Sequence, residues 1–412
     1  MEARFTPSGT ALAPQSPRPE DAAFVAARLA ERNRLSRSFF PAEAERLARA
    51  CQAMADRFLR GGRLLALGRR HYATDAQHVS VEFVHPVIVG KRALPALDLS
   101  LAGGEGLLAL VRPEDMVMGF APPEGDREVT ETLERARALG AQTFAFPGVF
   151  PGPGTGTPTD YALPSPSPDP YLHQELVEIV YHTLWETVHV FFEHREMGHD
   201  VGASGFLYPF LGQEKQETGG LIASVAASIA AKAEEDERLR TAVADGQAEG
   251  LARAALAIRE RLAAGGQLLL FGNGGSATDA NDWALDCTLP LKRFRPLPAL
   301  SLAGEPAVLS ALANDIGPEA LFLRQLIAQA GDADVVVALS TSGGSANILA
   351  ALEAARKRGL LTLALLGYDG GEIVRRGLAD HPLVVPCDHI PRIQEIQAAM
   401  YHVMLELMES WE

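Results

Sequence analysis

Leu64 to Phe83 reads LLALGRRHYATDAQHVSVEF, and Leu268 to Cys287 reads LLLFGNGGSATDANDWALDC, the same arrangement 204 positions later. Each is an apolar run that suits a buried strand, then a short turn, then a segment with helical spacing. The match starts at Gly61-Gly62 and Gly265-Gly266 and keeps register through Asp75 and Asp279 without a gap. Self-similarity of this kind means two copies of one unit. Further β-rich runs at 267–272, 297–303, 335–340, 361–367 and 382–387 alternate with helical patterns, as do runs at 63–68, 96–101, 116–120 and 142–146 in the first half. Buried strands separated by helices predict parallel pairing with both faces covered. The fold class is therefore α/β, with two tandem domains, each a doubly wound parallel sheet flanked by helices.

A chain of 412 residues is long for one core and suits two domains of roughly 200 residues each. The expected division is a disordered arm at 1–20, a first domain at 21–198, a linker at 199–217 and a second domain at 218–412. Phe206, Leu207, Tyr208 and Phe210 of the linker are expected to dock on one domain. The Pro/Gly-rich run 147–170 predicts a loop or lid. Apolar runs fall far short of the roughly 20 residues of a membrane span, so no membrane is expected. A formal net charge of −15 disfavours nucleic acid as a partner. Cys51, Cys287 and Cys387 are odd in number and lack metal-type spacing; they point to a reducing compartment, by default the cytoplasm. Cys287 reads as a small buried side chain.

The second copy's turn, FGNGGSAT, opens a helix, so Gly274 and Gly275 let backbone N–H groups and Ser276 face outward. An anion fits at such a helix start. A second loop, LSTSGGSAN, adds Ser340, Thr341, Ser342 and Ser345. Hydroxyl-rich loops at the carboxyl ends of parallel strands are where open α/β sheets bind ligands. Neither a nucleoside triphosphate motif nor a dinucleotide fingerprint is present, so a small phosphorylated metabolite fits best.

The motifs GNGGSATDA, LANDIG, LSTSGGSANI, YDGGE and RIQEI occur in this order across most of 218–412. In that combination the chain resembles the sugar isomerase (SIS) fold, in particular the phosphoheptose isomerase family, which interconverts sedoheptulose 7-phosphate and a heptose 7-phosphate. The resemblance implies a phosphate clamp of Asn273, Gly274, Ser276, Ser340, Thr341, Ser342 and Ser345, with Asp315 and Gln394 meeting the sugar. It also implies zinc or another divalent ion held by a His and a Glu four apart, together with a Gln and a His eight apart. The second copy has Asp282 and Asp286 where the family has His and Glu, although Gln394 and His402 match; Pro391 replaces a commonly acidic residue. The first copy has His78, Glu82, Gln174 and His182 in the ligand positions but has lost the phosphate loops. The expected metal ligands are thus His78, Glu82, Gln174 and His182, with Glu82 as base and His182 as acid.

These losses are complementary. Glu82 lies about 15 Å along its helix from the position equivalent to Ser276, whereas a seven-carbon sugar phosphate spans roughly 8 to 9 Å from phosphorus to carbonyl. One domain must therefore supply the phosphate clamp and the other the chemistry. The implied activity is an aldose–ketose isomerase with a phosphorylated sugar as partner, its site shared between the halves; the rival reading is a non-catalytic sugar-phosphate-binding or scaffold protein. The fused chain is expected to act as a pseudo-dimer that pairs into a homodimer of four domains. Gln174 and His182 sit about 80° apart on a helix, so Gln394 or His402 is an alternative to one of them. Asp282, Asp286 and His402 form a candidate site for an oxygen-preferring ion, and Arg69, Arg70 and His71 a candidate anion site. The stripe His182, Glu186, His189 and Glu193 reads as a solvated or interface face, and His194 and His199 as surface residues.

Overall fold

The computed structural model describes residues 16–86, 91–147, 159–195 and 218–412. The expected linker, its aromatic cluster, His199, the Glu193 and His194 side chains and most of the expected arm lie outside the described residues.

The first half runs α1 (Pro19–Leu59), β1 (Leu64–Gly68), α2 (Tyr72–Val84), β2 (Ala96–Asp98), α3 (Gly103–Leu108), β3 (Met116–Phe120), α4 (Arg127–Ala138), β4 (Gln142–Phe146), β5 (Tyr161–Ala162) and α5 (Pro170–Arg195). The second runs α6 (Thr218–Ala263), β6 (Leu268–Phe271), α7 (Gly275–Thr288), β7 (Ala299–Ser301), α8 (Pro306–Asp315), α9 (Ala320–Gln329), β8 (Val335–Ser340), α10 (Ala346–Lys357), β9 (Leu361–Leu366), α11 (Gly371–Arg375), β10 (His381–Val384) and α12 (Ile390–Ser410). Both sheets are wholly parallel, with orders β2-β1-β3-β4-β5 and β7-β6-β8-β9-β10. The repeat therefore extends to topology: Leu64 pairs with Met116 as Leu268 pairs with Val335. The Pro/Gly-rich run, expected as loop alone, supplies β5 as an edge strand.

Alternation along a strand sends neighbours to opposite faces, which explains the layering. Leu64 and Ala66 enter one apolar layer of the first half, Leu65 and Leu67 the other. Leu268 and Leu270 are separated from Leu269 and Phe271 in the same way. The long helices α1 and α6 tie the halves together. Val25 and Leu29, early in α1, pack into the second half's core, and Leu221, Ile222, Val225 and Ile229, early in α6, pack into the first half's core. Each core is thereby completed by a segment of the other half, which brings α2 against α7 and α5 against α12.

Candidate functional site

The contact between α2 and α7 follows the repeat: the Asn281 amide donates to its equivalent, Gln77, at 3.3 Å. The i, i+4 pairs of both helices consequently face the junction, and His78, Glu82, Asp282 and Asp286 are all buried. Helices α5 and α12 close the group from the other side. Beside the glycine turn that opens α7, His78 Nδ1 lies 3.2 Å from Asp279 Oδ1, and His182 Nδ1 lies 2.9 Å from Glu395 Oε1. Glu395 is held in turn by Arg392. The two Nε2 atoms face each other at 3.3 Å. With both Nδ1–H groups donated to carboxylates, two lone pairs would oppose each other, an arrangement that a proton or a cation relieves.

Glu178, one turn before His182, joins them: one donor atom each from His78, Glu178 and His182 lie within 4.8 Å of one another. Glu82 Oε1 is 3.8 Å from His78 Nε2. Glu82 Oε2, Glu178 Oε1 and Gln394 Oε1 are buried without hydrogen-bond partners, a costly arrangement unless something binds them. Burial lifts the Glu82 carboxyl to about 7 against the pull of His78. Burial, reinforced by Asp279 and Glu395, holds Glu178 well above the usual range. Burial would lower His78, but Asp279 overrides it and the net direction is up. Burial and the neighbouring His78 charge hold His182 well down.

The turn at the start of α7, expected to bind phosphate, abuts this group. A Cβ built on Gly275 would lie 2.5 Å from His78 Nε2, with Gln394 Nε2 closer still. The loop backbone can approach because Gly274 adopts φ +58°, open to glycine at little cost. Asn273 and Asn347 exchange amide bonds of 3.0 and 2.8 Å, lashing the two loops together. Ser340 accepts from the Gly343 N–H at 3.1 Å and Ser342 from the Gly344 N–H at 3.3 Å. Ser276 sits buried in the first turn of α7, and the Ser345 hydroxyl makes no cap bond to α10. Thr341 is half-buried.

Two expected residues fall elsewhere. Gln174 is not gathered with His78 and His182: its amide donates to Asp282 at 2.8 Å, while Gln394 takes the place beside His78. The repeat contains both glutamines at equivalent positions, and only the chain crossing between halves decides which faces the histidines. Asp315 is exposed at the end of α8, a helix with no buried residue, and accepts from Asn314 at 2.7 Å. Sequence reasoning missed Glu178, although its i, i+4 relation to both Gln174 and His182 was a readable signal. Of the α5 stripe, expected as a solvated or interface face, His182, Glu186 and His189 are buried, and His182 and Glu186 meet groups of the second half, as an interface face does. Glu186 meets Lys232, Arg392 and His389, and His189 Nε2 lies 3.0 Å from the Arg92 carbonyl. Cys287 is buried, its thiol pushed well up by burial.

The equivalent group on the other side of the junction has a different character. Asp282, Asp286 and His402 also cluster within 4.8 Å, yet Asp282 accepts from Thr74, Gln174 and Tyr401 at 2.8 to 2.9 Å. His402 bridges Glu175 at 2.9 Å and Asp286 at 3.0 Å. Burial would lower His402, but those two carboxylates raise it to about 10. A proton on His402 therefore already supplies the positive charge there. A cavity of about 10 Å³ lies between the two groups, walled by Asp75, His78, Gln174, Glu178, Asp279 and Asp282 among others, and holds about one water.

Residues 233–367 match the SIS domain family. A phosphoheptose isomerase of Citrifermentans bemidjiense is 45% identical over 147 residues, 35% of this chain and 76% of that protein. The chain belongs to the SIS family, in its phosphoheptose isomerase branch. The corresponding protein of Solidesulfovibrio magneticus is 40% identical over 184 residues, 44% of this SIS chain and 89% of that protein. The whole tandem SIS arrangement also has solved likenesses. A Clostridium novyi structure described as a tagatose-6-phosphate ketose/aldose isomerase has TM-score 0.56 at 11% identity, covering 95% of this chain and 90% of its own. A Salmonella typhimurium structure described as a sugar binding protein has TM-score 0.52 at 16% identity, covering 92% and 99%. At these identities they show the SIS fold alone. Among the described residues no helix is long and apolar enough to cross a membrane.

Proposed function

We propose that the chain is an aldose–ketose isomerase of a sugar phosphate, with sedoheptulose 7-phosphate as the leading substrate, working at the junction between its two SIS halves. One observation carries the reading: two buried imidazoles present Nε2 to each other at 3.3 Å beside unpartnered carboxylate and amide oxygens, directly against the glycine turn that opens α7. The donor set fits a divalent ion, zinc first, because two imidazoles and a carboxylate match zinc's preferred ligands. His78, His182 and Glu178 would hold it, with Gln394 at its edge. Bound there, the ion would supply Lewis-acid stabilisation of an oxyanion.

The chain's own groups do the rest. Gly274, Ser276 and the 340–345 loop hold the phosphate at the start of α7, where the helix dipole favours an anion. Glu82 removes a proton from the hydroxyl-bearing carbon next to the carbonyl and returns it to the former carbonyl carbon, while the hydroxyl proton passes between the two oxygens. A carboxyl lifted to about 7 by burial suits a base and acid near neutral pH. His182 has no exposed surface and both ring nitrogens face protein groups, which favours a ligand role over that of acid. The test is to incubate the protein with sedoheptulose 7-phosphate and follow aldose formation by NMR, with chelator and after zinc is restored. Binding of the sugar phosphate without turnover, in the zinc-loaded protein, would replace this reading with the non-catalytic one.

A further inference from the structure

We propose that the first half's own crevice, at the position equivalent to the phosphate loops, is a second binding site for a phosphorylated polyol or sugar, separate from the isomerase site. The crevice has a volume of about 790 Å³ and is lined by Arg69, Arg70, His71, Tyr72, Glu124 and Leu289 among others, within the size range of small-molecule sites.

The turn GRRHYAT has lost its glycines and serine but not its shape. Arg70 adopts φ +56° where Gly274 has +58°. A Cβ on Gly68 would strike the Tyr72 carbonyl, as one on Gly272 would strike that of Ser276. A non-glycine residue at such φ is strained, and strain of this kind gathers at ligand sites. The strain places a guanidinium on the crevice wall at the start of the 13-residue helix α2.

The second observation is independent. His71 and Tyr72 are each only 4% exposed and line the crevice, yet His71 Nε2 and the Tyr72 hydroxyl have no hydrogen-bond partner. The charge nearest His71 Nε2 is Asp286 Oδ1 at 3.8 Å, beyond hydrogen-bond reach. Burial, then nearby Asp75 and Glu124, keep the Tyr72 phenol protonated and so a donor. Arg69 is occupied by Asp126 at 3.0 Å and Glu128 at 3.2 Å. That leaves the Arg70 side chain, His71 and the Tyr72 hydroxyl as donors among the crevice-lining residues, a set that calls for an oxyanion. Glu124 beside them would repel a bare anion but would accept from sugar hydroxyls, and Pro122, Leu289, Pro290, Leu291 and Pro296 offer an apolar wall. A phosphate joined to a hydroxylated carbon chain satisfies all of these. The first half's equivalent of the serine loop cannot supply backbone donors in their place, because its Pro122 and Pro123 have no N–H to donate.

The test is a ligand-observed ³¹P NMR titration of the full chain with fructose 6-phosphate and with inorganic phosphate. It compares wild type with Arg70→Gly and with the double variant Ser340→Ala, Ser342→Ala. Glycine is at ease at the Arg70 φ, so Arg70→Gly is expected to fold with Tm unchanged or raised. Two fructose 6-phosphate sites are expected in wild type; the serine variant keeps one, and Arg70→Gly weakens that one by about tenfold or more. Inorganic phosphate, lacking hydroxyls for Glu124, is expected to bind there more weakly. A single site that vanishes in the serine variant and ignores Arg70→Gly would overturn the proposal, as would inorganic phosphate binding the second site as tightly as the sugar phosphate.

Discussion

Gly275→Ala perturbs the site by one methyl group. Gly275 opens α7 without a positive φ, so alanine meets no backbone penalty and should gain about 0.5 to 1 kcal/mol of helix preference. Its Cβ, however, would lie 2.5 Å from His78 Nε2, where ordinary contact begins at 3.4 Å. His78 must therefore retreat by about 0.9 Å, and Gln394 by more, out of a group already anchored by Asp279. Overpacking typically costs about 1 to 3 kcal/mol, so the net loss of stability should be about 1 to 2 kcal/mol. The larger effect is on function, since a displacement of about 1 Å in a reacting constellation costs roughly 100-fold in rate. Zinc binding measured by a competing chelator, kcat by NMR or a coupled assay and Tm by calorimetry together separate these effects. Gly246 in α6 has open space around its would-be Cβ, so Gly246→Ala is the control, with stability raised by about 0.5 to 1 kcal/mol and kcat untouched. A Gly275→Ala protein with zinc affinity and kcat within about twofold of wild type would refute the reasoning that α7's first turn is pressed against a metal-binding pair.

Other outcomes follow from the same geometry. Glu82→Gln should keep zinc but lose about 100-fold or more in kcat, read as a metal-to-protein ratio beside turnover; retained turnover would remove Glu82 as base. Glu395→Gln weakens the hold on His182 Nδ1 and should lower zinc affinity by about 10- to 100-fold, measurable by chelator competition, with the far-UV spectrum unchanged. His173, bonded to the Ala121 carbonyl and Ser165, is depressed by burial to about 4. As pH falls below its unfolded value near 6.5 the unfolded chain takes up the proton first, so stability present at neutral pH is lost on acidification. From pH 7 to 5 this group accounts for about 2 kcal/mol, and denaturant unfolding of His173→Gln at both pH values should show that much less acid sensitivity.

The residues gathered at the junction became legible through the repeat more than through any single motif. His78 and Glu82 stand out because their equivalents are Asp282 and Asp286, and on the second side Asp282 and His402 are engaged by Thr74, Gln174, Tyr401, Glu175 and Asp286. Glu178 was visible in spacing yet unmarked, because Ala398 stands at its place in the second copy. For the α5 stripe, sequence polarity left a solvated and an interface face open, because it does not reveal that Lys232 and Arg392, from the other half, neutralise Glu186.

By itself the sequence determined the two parallel sheets, the repeat that relates them and the half in which each loop had decayed, since strand alternation, helical spacing and glycine placement are local properties. Only the tertiary structure decided that Gln394, and not Gln174, stands beside His78, and that Asp315 stays outside the buried group. Two glutamines at equivalent places in a repeat carry identical local signals. The exchange of helix ends between the halves determines which of them meets the histidines and which meets Asp282.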